Sequence, residues 1–90
     1  MVEVHITHAC VVQDEVTKDT VLMGVAERHD DVVNFKASFV WEELDKDLFI
    51  QELRETLAKE FDCPTYHVDL PREQIFKRME YFARQVRLQN

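Results

Sequence analysis

Val2, Val4, Ile6, His8, Cys10 and Val12 alternate along the chain with Glu3, His5, Thr7, Ala9 and Val11. This is the period of a strand, and it predicts His8 and Cys10 on the apolar face. The polar run QDEVTKD at 13–19 reads as a hairpin loop. Residues 20–28, TVLMGVAER, are apolar at both parities. That pattern needs cover on two sides, supplied by the chain's own helices or by another subunit. His29-Asp30-Asp31 predicts a tight turn. Over 32–42, Val33, Phe35, Ala37, Phe39 and Trp41 share one face. Asn34, Lys36, Ser38 and Glu42 take the other, with Val40 the exception.

The period changes at Asp45, which suits a helix N-cap, with Leu44 and Phe49 as a hydrophobic staple around it. Phe49, Ile50, Leu53, Leu57 and Phe61 form one helical stripe, opposite Asp47, Glu52, Glu55 and Asp62. Cys63-Pro64 closes that helix, since the residue before proline avoids helical geometry. Tyr66, Val68 and Leu70 alternate with His67 and Asp69, as in a short fourth strand or an extended connection. Pro71 suits the first turn of a second helix. Ile75, Phe76, Met79, Phe82, Ala83 and Val86 are its apolar stripe.

Strands first and helices after them predict one α+β domain over residues 1–90: a three-stranded antiparallel meander, or four strands if 66–70 pairs, followed by two helices packed on it. The chain has 90 residues, so its core is small and a partner subunit is an ordinary way to hide more apolar surface. Nine aromatic residues are more than one small core easily hides.

Charge narrows the function classes. The net formal charge is −7, which disfavours direct binding to nucleic acid or to anionic membranes. It is unevenly spread: residues 1–69 carry −10 and residues 70–90 carry +3. No stretch is apolar enough to span a bilayer, and the first residues lack a secretory signal. The expectation is a cytoplasmic protein with Cys10 and Cys63 as free thiols.

Candidate chemistry is sparse. His8, Cys10, Cys63 and His67 offer zinc-type ligands, but in spacings that do not recur in zinc sites. The bland alternative puts His8 and Cys10 in the core, makes Cys63 a small buried hydrophobe and turns His67 to water. A cysteine nucleophile needs a base and an oxyanion loop, and Gly24 is the only glycine. Cys10 is therefore expected to be buried and unreactive. The sequence predicts no catalytic residue, no metal site and no cofactor.

Arg72, Lys77, Arg84 and Arg87 lie along one side of the second helix, where Glu73 and Glu80 are placed to pair with Lys77 and Arg84. What remains is a small, acidic, non-enzymatic binding or regulatory domain acting through protein–protein contact as a homodimer. Its expected contact residues are Tyr81, Arg84, Arg87 and Leu88 on the second helix and Asp47, Glu52 and Glu55 on the first. Two alternatives stand beside it. One is an acidic inhibitor that imitates the phosphate backbone of nucleic acid. The other is a small metal-binding or cysteine-dependent enzyme built on His8, Cys10, Cys63 and His67.

Overall fold

The computed structural model describes residues 3–89, with side chains to Val86. Three long strands form an antiparallel meander: β1 (Val4–Gln13), β2 (Thr20–Arg28) and β3 (Asp31–Phe39). Helix α1 (Lys46–Glu60) follows, then a two-residue strand β4 (Val68–Asp69), then helix α2 (Arg72–Gln89). β4 pairs parallel to the start of β1, giving the mixed sheet order β3-β2-β1-β4. The α+β architecture is the one the period changes predict. Of residues 66–70 only Val68 and Asp69 form the fourth strand, which is parallel to β1 rather than a further antiparallel strand, and Tyr66 and His67 belong to a 3-10 turn.

Local chemistry sets the element ends. The Asp45 side chain accepts a hydrogen bond from the Leu48 N–H at 3.1 Å, so it caps α1 as its position predicts. Leu44 and Phe49 both pack against the core beside it. At the other end, Asp62 takes a positive φ of 51° and the Cys63 N–H reaches the Ala58 carbonyl at 2.9 Å. This is a left-handed helix stop with Asp in the usual glycine place. It ends α1 slightly earlier than Cys63-Pro64 predicts, and it turns Cys63 in against the core. In the β1–β2 loop, Asp14 accepts hydrogen bonds from the backbone N–H groups of Val16 and Thr17. Those bonds, Thr17 first, hold its carboxyl below the ordinary aspartate range.

Both helices lie on one face of the sheet. A single buried cluster joins Val4, Leu22, Ala26, Phe35 and Phe39 of the strands to Ile50, Leu53 and Leu57 of α1 and to Ile75, Phe76 and Met79 of α2. An aromatic chain runs through it, from Phe39 to Phe49 at 6.3 Å between ring centroids, from Phe49 to Phe76 at 6.2 Å and from Phe76 to Trp41 at 6.5 Å. Trp41 belongs to a 3-10 turn after β3 rather than to the strand, and it is half-buried. The Asp47 carboxylate accepts a hydrogen bond from Arg72 at 2.6 Å and so joins the starts of the two helices.

β1 corrects the alternation read from its sequence. Ile6 sits opposite Ala26, but His8 sits opposite Val25, so Thr7 is an extra residue. A bulge of this kind puts two residues of one strand against one of its partner. The parity of β1 therefore reverses at Thr7. Val4 and Ile6 face the core before it, and Ala9 and Val11 face the core after it. His8 and Cys10 are turned outward and exposed. The expectation of a buried Cys10 is wrong for this reason, as is the placing of His8 in the core.

Candidate functional site

The face of the sheet opposite the helices follows from the strand pairing. Glu27 lies between Val32 and His5, and Asp69 stands on the far side of His5. Val25 lies between Asn34 and His8, Met23 between Lys36 and Cys10, and Val21 between Ser38 and Val12. Leu22 and Ala26 alternate with these residues and enter the core, so this row-by-row array points away from it.

No element of the chain crosses this face among the described residues. Its middle is apolar through Val12, Val21, Met23 and Val25, which explains why β2 reads as apolar at both parities. Val12 is 37% exposed and Val32 57% exposed, while Met23 and Val25 are half-buried and Val21 is buried by their neighbours. A cavity of about 660 Å³ opens at the bulge, lined by the core-facing Ala9, Gly24 and Phe35 and by Arg78 of α2 as well as by His8, Cys10 and Lys36, so it belongs to the junction of α2 with the sheet and not to the uncovered face alone. It has no carboxylate in its lining, although the whole chain carries −7. The carboxylates of this face, Glu27 and Asp69, stand instead beside His5 at one end. The face is thus apolar in the middle and anionic at one end, with Lys36 on β3 as the lysine of its strand rows.

The residues weighed for metal or thiol chemistry are distributed differently. His8 and Cys10 share the uncovered face, whereas Cys63 sits half-buried at the end of α1. The expectation that His67 faces water is incorrect. Both of its ring nitrogens are buried without a hydrogen-bond partner, and the Tyr66 ring lies edge-on at 4.6 Å. The metal-capable side chains that the fold does bring together are another set, Glu3, His5 and Asp69, whose ligand atoms lie within 4.8 Å of one another. Reading the sequence misses this group, because it depends on β4 returning beside β1.

The expected contact residues scatter over the helices. Tyr81 is 68% exposed, and the exposed Arg84 pairs with Glu80 one turn earlier. Asp47 is committed to Arg72, Glu55 accepts a hydrogen bond from Gln51 at 3.1 Å, and Glu52 is exposed. The side chains of Arg87 and Leu88 lie outside the described residues.

Exposure makes a direct expectation for the thiols. A thiol-labelling reagent should modify Cys10 in the native protein well before Cys63, and Cys10→Ser should remove the fast phase. Equal, slow labelling of both would place Cys10 in the interior and remove the bulge.

No helix among the described residues is long and apolar enough to cross a membrane. Comparison with protein-family models, with curated proteins and with solved structures finds no match.

Proposed function

We propose that this chain is a binding or regulatory domain that acts through protein–protein contact, that the uncovered face of its sheet is the contact surface, and that a second copy of the chain is its first occupant. The observation that carries this reading is the placement of both helices on one side of a sheet whose central strand is apolar on both. An apolar patch rimmed by polar groups marks a contact site more often than it marks plain solvent-facing surface.

The charge pattern supports self-pairing. A two-fold contact repeats each pairing, residue i of one protomer with j of the other and the reverse. Two faces packed with their strands running in opposite senses bring Glu27 of each toward Lys36 of the other. The free edge of β3 lies at the rim of the same surface and leaves it open.

The acidic-inhibitor reading has less support, since Asp47, at the head of the carboxylate row on α1, is already paired with Arg72. The enzyme reading has His8 and Cys10 on one face but Cys63 and His67 at the far end of α1, so the four offer no common centre.

Light scattering on the eluting peak at tens of micromolar tests the proposal. The expected mass is twice the 10.7 kDa of the chain. A Val12→Lys/Val25→Lys variant should elute as a monomer with an unchanged helical circular dichroism spectrum. A wild-type mass near 10.7 kDa would overturn self-pairing.

A further inference from the structure

The end of the uncovered face holds a feature that protein contact does not explain. His5 is opposite Asp69 on β4 on one side and opposite Glu27 on β2 on the other. Glu3 is two residues before His5 along the chain, and two residues is the spacing of one strand face. The His5 Nδ1 lies 3.6 Å from an Asp69 carboxylate oxygen, and the ligand atoms of Glu3, His5 and Asp69 fall within 4.8 Å of one another.

The position of Asp69 and Glu27 beside His5 comes from backbone pairing, so it does not rest on a chosen side-chain rotamer. Adjacent strands stand about 4.8 Å apart. An ion between β1 and β4 would therefore be within reach of both. No lysine or arginine pairs with Glu3 or Asp69 among the described ion pairs. Two carboxylates beside an imidazole offer a divalent cation both negative charge and a nitrogen ligand.

From this geometry we infer that Glu3, His5 and Asp69 form a surface site for a divalent first-row transition ion, with zinc as its reference occupant. Imidazole nitrogen and carboxylate oxygen are both ligand types that zinc takes, and three protein ligands leave a fourth position to water or to an outside ligand. The imidazole separates this set from the all-oxygen sites that calcium and magnesium take. Binding has a mechanical consequence. β4 is held to β1 by only two residue pairs, Val4 with Val68 and His5 with Asp69. A bound ion cross-links the two strands at the second of them and ties the connection before α2 to the sheet. Metal binding at this site is therefore coupled to stability through the folded state that creates it.

The test is calorimetric titration of Zn²⁺ into chelator-treated protein, with thermal melts run in parallel. One saturable site per chain is expected, along with a rise in Tm on adding the ion. Loss of a partner in the shell outside a metal's ligands already costs about 10–100-fold in affinity. Removing a ligand should cost at least as much, so His5→Ala should weaken binding by more than about tenfold and abolish the rise in Tm. Asp69→Asn should act in the same direction. His8→Ala, which removes another exposed histidine from the same strand, should leave the titration unchanged. The inference is overturned if wild type shows no saturable uptake below about 1 mM Zn²⁺, or if His5→Ala and His8→Ala bind it as wild type does. His5 is half-exposed and outside the core, so its variant retains the fold and a negative result is informative.

Discussion

Phe39→Ala should destabilise the domain by about 3–5 kcal/mol, the range for deleting a large aromatic side chain from a packed core. Phe39 is 7% exposed and stands at the end of β3, where the sheet, the 3-10 turn at Trp41 and both helices converge. Its ring meets Phe49 edge-on at an interplanar angle of 71°, and Phe49 in turn meets Phe76. The substitution therefore removes more than burial. It leaves a void beside two aromatic rings and breaks an edge-to-face pair, itself worth about 0.5–1.5 kcal/mol. A domain of this length holds roughly 5–13 kcal/mol in total. At about 4–8 °C per kcal/mol, Tm should fall by more than about 10 °C. A thermal melt followed by circular dichroism measures the change. A variant melting within a few degrees of wild type would mean that the β3 face does not enter the core.

The elements whose pattern repeats over several turns or rungs are the ones readable in advance. β3 keeps its parity from Val33 to Phe39, and the stripe of α1 from Ile50 to Leu57 repeats at helical spacing, so both enter the core as predicted. Asp45 is a cap because its side chain competes for backbone donors, a local property that survives tertiary context. β1 is different. The bulge at Thr7 changes parity in mid-strand, and an alternation rule applied from either end misassigns the other half. The signal is present but faint. Val4 and Ile6 are apolar at one parity and Ala9 and Val11 at the other, while His8 and Cys10, the more polar pair, fall on the losing side.

The uncovered face was half legible. β2 declares itself apolar on both sides through Val21, Met23 and Val25 against Leu22, Gly24 and Ala26. Pattern alone does not say where the helices go, because each stripe fits either side of a sheet equally well. The grouping of Glu3, His5 and Asp69 was not legible at all. It needs the parallel pairing of two residues, Val68 and Asp69, with a strand at the other end of the chain. A two-residue strand carries too few positions to show a period. His67 escaped for a related reason: it belongs to a 3-10 turn against the end of α1, so strand alternation with Asp69 does not apply to it.

Gly24→Ala should destabilise the domain, against the usual sign for this exchange. Replacing glycine in a regular strand ordinarily gains about 0.4–1 kcal/mol by restricting the unfolded chain. Gly24 has no positive φ, so its backbone would accept alanine. The obstacle is space. A Cβ at this position would stand 2.3 Å from Phe35 Cζ and 2.7 Å from the His8 carbonyl oxygen. Phe35 is Gly24's neighbour on β3 and is itself buried, so its ring fills the volume the glycine leaves and has little room to withdraw. The His8 carbonyl is backbone, fixed beside the bulge, and yields less than a side chain does. Overpacking of this kind costs about 1–3 kcal/mol. The same crowding accounts for the chain's only glycine lying here rather than in a turn. A double-mutant cycle separates the two obstacles. Gly24→Ala in a Phe35→Leu background should cost less than Gly24→Ala alone, because the shorter side chain vacates the space the new methyl needs. What remains is the part due to the His8 carbonyl and the bulge. If Gly24→Ala melts at or above the wild-type temperature, then Phe35 does not lie over Gly24, and the register between β2 and β3 is not the one described.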